Sequence, residues 1–161
     1  MAHERLLVMR HAEKPDDPDD PGLTPAGQAR AKALPAYIQA TFGKPDFIFA
    51  AAVSRHSARP LETVQPLAAQ TGTRVNTDFA DQDYGALAKH LCKDPTYTGK
   101  LVVICWHHGN IPNLMNALKA AKGSYPDPWP RDVFNLVLEA KFDAGGGAER
   151  ARDNGAVLNA L

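Results

Sequence analysis

The chain is poor in features that would place it outside ordinary globular proteins. It has only two cysteines, Cys92 and Cys105, in 161 residues, too few for a disulfide framework. Cys105 lies inside the apolar run Leu101–Trp106 and reads as buried packing. Net charge is absent, because 18 Lys and Arg are balanced by 18 Asp and Glu. A protein that grips a nucleic-acid backbone needs a basic excess, so nucleic acid is not an expected partner. A small local cluster of arginines around one phosphate stays compatible with that balance. No apolar run approaches the roughly 18 residues of a membrane span. The start, Met1-Ala2-His3-Glu4-Arg5, leads straight into a strand-like run and lacks a small-residue cleavage region. Internal repeats and a domain boundary are also missing. The expectation is one cytoplasmic domain over residues 1–161, long enough to bury a core without staples.

What is present is a set of short apolar runs with abrupt ends. Residues 5–10 read as a first strand, followed by a polar loop over 12–23 with Pro15, Pro18, Pro21 and four aspartates. Thr24-Pro25 is a helix start, an N-cap hydroxyl followed by proline at the first helical position. This helix is predicted to reach about Phe42 and stop at Gly43, with Pro35 kinking or dividing it. A strand at Phe47–Ala51 and a helix from Ser57 to Gln70 come next, with Pro60 in its first turn and Gly72 as its stop. Arg74–Asn76 is a candidate short strand, and a short helix follows Gly85 through Leu87 and Leu91. Leu101–Trp106 is the clearest buried strand, and Ile111–Ala121 reads as the helix after it. Val133–Phe142 and Ala156–Leu158 are further strands, with turn signals at Gly145-Gly146-Gly147 and Asn154-Gly155. Alternating strands and helices predict an α/β fold: a three-layer α/β/α sandwich with a mainly parallel sheet and an antiparallel edge near the C-terminus.

Three of these strands end in ionisable residues. The first ends in Arg10-His11; Ser54, Arg55, His56 and Arg59 follow the second; His107-His108-Gly109 follow the clearest one. In a parallel sheet such ends share one edge, where open α/β sheets carry their ligands. Two arginines and two histidines converging there suit a phosphate. Guanidinium forks match its oxygens, and a neutral imidazole nitrogen can attack phosphorus.

The chain here resembles the histidine phosphatase superfamily, the phosphoglycerate-mutase-like proteins. Arg10-His11-Ala12 fills the family's Arg-His-Gly/Ala signature, and Leu23-Thr24-Pro25-Ala26-Gly27-Gln28-Ala29-Arg30-Ala31 fits its Leu-Thr-x-x-Gly-x-x-x-Ala pattern. Ser54 to Thr63 is similar to its Ser-x-x-x-Arg-Ala-x-x-Thr segment, with one extra residue before Arg59. His108-Gly109 fits its second histidine. The resemblance implies a metal-independent, cofactor-free histidine acid-type phosphatase. His11 would be the phosphoryl acceptor, and Arg10, Arg59 and His108 would be substrate-binding as well as catalytic. Two guanidiniums beside His11 should keep it neutral and nucleophilic. The family's acid, which protonates the leaving group, has its counterpart in Asp81, with Asp83 and Glu13 as rivals. The short chain without a large insertion resembles the small SixA-like phosphohistidine phosphatases. The implied substrate is a phosphorylated small molecule or phosphoprotein. The rivals are a non-catalytic phosphate- or phosphopeptide-binding module and a small-metabolite phosphomutase.

The remaining polar residues take plainer readings. Neighbouring side chains on a strand point to opposite faces, so His107 and His108 are not expected to share a metal. His107 reads as a rim or core histidine rather than a catalytic one. Arg55 and His56 read as surface. Asp16, Asp17, Asp19 and Asp20 lack the downstream glutamate of a calcium loop and read as a solvated loop, a candidate lid over His11.

Overall fold

The computed structural model describes residues 4–142 and the strand at 152–156. In chain order the elements are β1 (Glu4–Arg10), α1 (Pro25–Thr41), β2 (Phe47–Ala50), α2 (Arg59–Thr71), β3 (Val75–Asn76), α3 (Tyr84–Lys93), β4 (Leu101–Trp106), α4 (Ile111–Ala117), β5 (Leu136–Phe142) and β6 (Arg152–Ala156). The strands form one six-stranded sheet in the order β3-β2-β4-β1-β5-β6. The pairs β1–β4, β2–β4 and β2–β3 are parallel; β5 runs antiparallel to both β1 and β6.

Alternation along the two central strands builds both cores. Leu6 and Val8 of β1 join Val102, Ile104 and Trp106 of β4 on one face, against Leu87 and Leu91 of α3 and Ile111 and Leu114 of α4. Leu7, Met9, Val103 and Cys105 point the other way, against Leu34 and Ile38 of α1 and Val64 and Leu67 of α2. Strands covered on both faces must be apolar at every position, and β4 is buried throughout. The result is the expected α/β/α sandwich.

Several expected boundaries moved. Pro35 does not divide α1, which runs unbroken across it. A proline in a helix interior costs about 3 kcal/mol, but Leu34, Pro35 and Ile38 are all buried, and that packing offsets the lost N–H. Helix α4 ends four residues before Ala121, because Lys119 takes a left-handed φ of 63°. Strand β5 begins at Leu136 rather than Val133, since the Trp129 indole N–H takes the Val133 carbonyl at 2.9 Å. Asn154 and Gly155, read as a turn, lie within β6. The expected strand at Ala156–Leu158 coincides with β6 only at Ala156; Val157, Leu158 and Gly145–Gly147 lie outside the described residues.

The start of α1 locks the loop that follows β1. Thr24 is the N-cap, its hydroxyl accepting the Gly27 N–H at 3.0 Å. The Thr24 N–H donates to the Glu13 carbonyl at 3.0 Å. A Cβ on Gly27 would lie 2.6 Å from that same carbonyl oxygen, so the Leu-Thr-x-x-Gly segment needs glycine for close backbone approach. Gly27→Ala is therefore expected to displace Glu13, two residues from His11, and to cost about 1–3 kcal/mol. Urea unfolding with an unchanged midpoint would contradict this account.

Candidate active site

The site is built by the register of β1 on β4. Arg10 lies opposite Trp106, and the next amide, His11 N–H, donates to the Trp106 carbonyl at 3.1 Å. One residue further along each strand, His11 and His107 stand side by side with ring centroids 5.3 Å apart. The sequence reading set His107 aside; the structure makes it the histidine against His11. The one signal that could have found it is position, since His11 and His107 each come directly after their strand.

His11 is buried, and its Nδ1 is 2.7 Å from the Ala12 carbonyl oxygen. A carbonyl can only accept, so Nδ1 carries the proton and Nε2 keeps its lone pair. Burial pushes the His11 pKa down to about 3, with smaller contributions from His107, Arg10 and Arg59, against the Ala12 bond. The ring is thus neutral at physiological pH as expected, although desolvation outweighs the two guanidiniums as the cause. The pKa of His107 is also lowered by burial, opposed by nearby Asp81.

The arginines reach the site from different sides. Arg59 opens α2 and lines the cleft. Ahead of it the extra residue is absorbed in a tight loop, where Ser54 and Ser57 bridge and the Ser57 hydroxyl accepts the Arg59 N–H at 3.2 Å. Thr63 ties this turn to the histidine: its hydroxyl donates to the Arg59 carbonyl at 2.7 Å and accepts the Ala12 N–H at 2.9 Å. Among the described residues the Arg59 side chain makes a single 3.4 Å bond, to the His56 carbonyl, leaving most of its five N–H donors for an anion. Arg10 is not among the residues that line the cleft. Its guanidinium stacks 3.9 Å from the Phe134 ring centroid and donates to the Arg131 carbonyl at 2.6 Å. Burial, and then Arg59, lower its pKa to about 10, so it keeps its charge.

Of the three candidate acids, the structure separates two. Glu13 is gripped by Arg30 through both carboxylate oxygens, at 2.8 and 2.7 Å. That bidentate bond holds its pKa below the usual carboxylate value and keeps it ionised, the wrong state for a proton donor. Asp81 lines the cleft with His11 and His107. It accepts from the Asn110 amide at 2.9 Å through Oδ2, while Oδ1 is buried with no partner among the described residues. Asp83 follows Asp81 in the same 3-10 turn and is exposed.

The cleft has a volume of about 590 Å³. Lys14 and His56 also line it, and neither was expected there. His108 is on its outer wall and is shared with a second cavity of about 410 Å³ bounded by Pro112, Trp129 and Arg131. The aspartate loop is exposed and attaches to the start of α2, where the Ala58 N–H donates to the Pro21 carbonyl at 2.9 Å. Among the described residues no three His, Cys, Asp or Glu form a metal-binding cluster, and no helix is long and apolar enough to cross a membrane.

This strand order is that of the phosphoglycerate-mutase-like α/β/α fold. Among solved structures the chain is similar to the protein histidine phosphatase SixA complexed with tungstate, with a TM-score of 0.70 at 14% identity over 98% of this chain and 99% of that one. It is similar to a phosphoglycerate mutase from Plasmodium falciparum, with a TM-score of 0.67 at 13% identity over 98% and 93%. The mycobacterial glucosyl-3-phosphoglycerate phosphatase Rv2419c gives a TM-score of 0.64 at 17% identity over 94% and 97%. No protein-family model and no curated protein sequence matches the chain.

Two outcomes follow from the charges. Nitrogen-detected NMR at pH 7 should show His11 as the neutral Nδ1–H tautomer; a protonated ring or an Nε2–H tautomer would contradict the geometry. The Glu13–Arg30 pair should stabilise the fold above the ordinary carboxylate pKa of 4.5, because the folded value is lower. That contribution disappears as pH falls through the folded value. Glu13→Gln should therefore flatten the loss of melting temperature in that acid range.

Proposed function

We propose that the chain is a phosphatase that hydrolyses a phosphomonoester or protein phosphohistidine through a phosphohistidine on His11. The observation that carries this reading is the His11 ring itself: buried, neutral, with Nδ1–H spent on the Ala12 carbonyl and Nε2 left as the nucleophile. Nε2 attacks phosphorus, the bond to the leaving group breaks, and the phosphoryl group rests on His11 until water takes it. Arg59 and His107 hold the equatorial oxygens, where charge accumulates in the transition state. Arg10 adds positive charge near the ring, and Asp81 gives the departing oxygen its proton. His108, on the outer wall, meets the leaving group instead of the phosphoryl group.

Support also comes from the fold it shares with SixA, whose structure holds tungstate, a tetrahedral oxyanion of phosphate shape. Neither Cys92 nor Cys105 is in a disulfide, which suits the reducing cytoplasm, where we place the protein as a single domain.

The test is a brief incubation with an aryl phosphate, an alkaline quench and mass spectrometry. A phosphoryl group should be found on His11 and should vanish after acid quenching. Turnover unchanged in His11→Ala would sink the mechanism. Phosphate binding that depends on Arg59, without adduct or turnover, would make the protein a binding module. The two neighbouring histidines should separate. His107→Ala is expected to lower kcat by roughly 10²-fold or more. His108→Ala should change it by less than about tenfold, or about 1.4 kcal/mol of barrier. The reverse order would return the second catalytic role to His108.

A further inference from the structure

The cleft and the second cavity share two lining residues, His108 and Gly109, just past the end of β4. They therefore meet at that one place in the fold. Gly109 is exposed there, and it is not among the glycines with a positive φ. Its backbone suits any residue. A Cβ on Gly109 would find no heavy atom within 4 Å beyond its chain neighbours. Neither a left-handed turn nor a close approach, the two usual reasons for a glycine, accounts for it. What the missing side chain leaves is open space where the two cavities join. The walls beyond are of another kind: Pro112, Pro128, Trp129 and Pro130 supply rigid apolar faces, and Arg131 a charge. The Trp129 indole N–H is spent on the Val133 carbonyl at 2.9 Å, so the indole offers its ring. The Arg131 carbonyl accepts the Arg10 guanidinium at 2.6 Å, which pins this wall to the residue before His11. At about 410 Å³ the second cavity lies within the roughly 300–1,000 Å³ of small-molecule sites, which are mostly apolar with a few polar groups.

We propose that the substrate is a phosphorylated small molecule with an extended leaving group, whose far end is a flat ring seated in the second cavity, and that Gly109 keeps the passage to that cavity open. The inference rests on the reading of His11 as the phosphoryl acceptor. The phosphoryl group occupies the cleft with His11 and Arg59. The leaving group passes His108 and Gly109, and its ring packs on the proline and indole faces. A phosphohistidine on a folded protein widens within one side chain into protein surface, which is too broad for a cavity of this volume.

Two aryl esters of different length test this. Phenyl phosphate and 4-(benzyloxy)phenyl phosphate release similarly acidic phenols, so their kcat/KM ratio reports the added ring. Wild type should favour the long ester by about tenfold or more. Gly109→Leu, which fills the passage, should bring the ratio to within about twofold of one. Pro130→Trp should do the same, because it fills the second cavity from another wall and Pro130 lines no part of the cleft. The ratio is taken within each variant, so a lower folded fraction cancels. Equal kcat/KM for the two esters in wild type would overturn the inference, and so would a preference that survives in either variant. A phosphohistidine protein hydrolysed faster than the long ester, and equally well by wild type and Gly109→Leu, would overturn it while keeping the phosphatase reading. Absence of a phosphoryl adduct on His11 with either ester would overturn that reading and the inference with it.

Discussion

The parallel register between β1 and β4 is the constraint on which the site depends. It sets Arg10 opposite Trp106 and thereby puts His11 beside His107. These two strands are the centre of the sheet, buried on both faces by separate helical layers. A slip of one residue would send each side chain to the opposite face and break both cores at once. The positions of the two imidazoles are therefore specified by the hydrophobic core and not by any contact made in the cleft.

Burial sets the protonation states that the chemistry requires. Desolvation keeps His11 neutral far below physiological pH, while the arginines around it keep their charge at a lowered pKa. A neutral imidazole beside fixed cations leaves the positive charge of the site on the guanidiniums and the ring lone pair unprotonated, the arrangement the proposed reaction needs. The acidic side chain nearest in sequence, Glu13, is neutralised by Arg30, so it adds little repulsion toward an incoming anion.

Strand ends were the most legible part of the sequence, because an apolar run that stops at Arg-His or His-His marks both a buried strand and its functional edge. The Thr24 cap and Gly27 were legible for a local reason, since hydroxyl, proline and glycine act within one helical turn. Arg10 was legible as a cation but not in its direction, which is decided by Phe134 and by the Arg131 carbonyl, 121 residues away. The choice between His107 and His108 depended on inter-strand register. The His108-Gly109 pair favoured one residue on motif; the pairing of β4 with β1 brings the other to His11. Strand β6 was misplaced because its backbone pairs with β5 despite the turn-forming Asn154-Gly155, a tertiary override of local preference.

The Thr63 hydroxyl ties Ala12, the residue after His11, to the first turn of α2 with one donated and one accepted hydrogen bond. His11 and Arg59 are thereby coupled as one mechanical unit. Any displacement of α2 carries the histidine loop with it and leaves their spacing unchanged. Lys14, His56 and His108 also line the cleft, outside that Thr63 tie. Changes at those three positions can alter the shape of the cleft while the spacing of His11 and Arg59 stays as the Thr63 bonds set it.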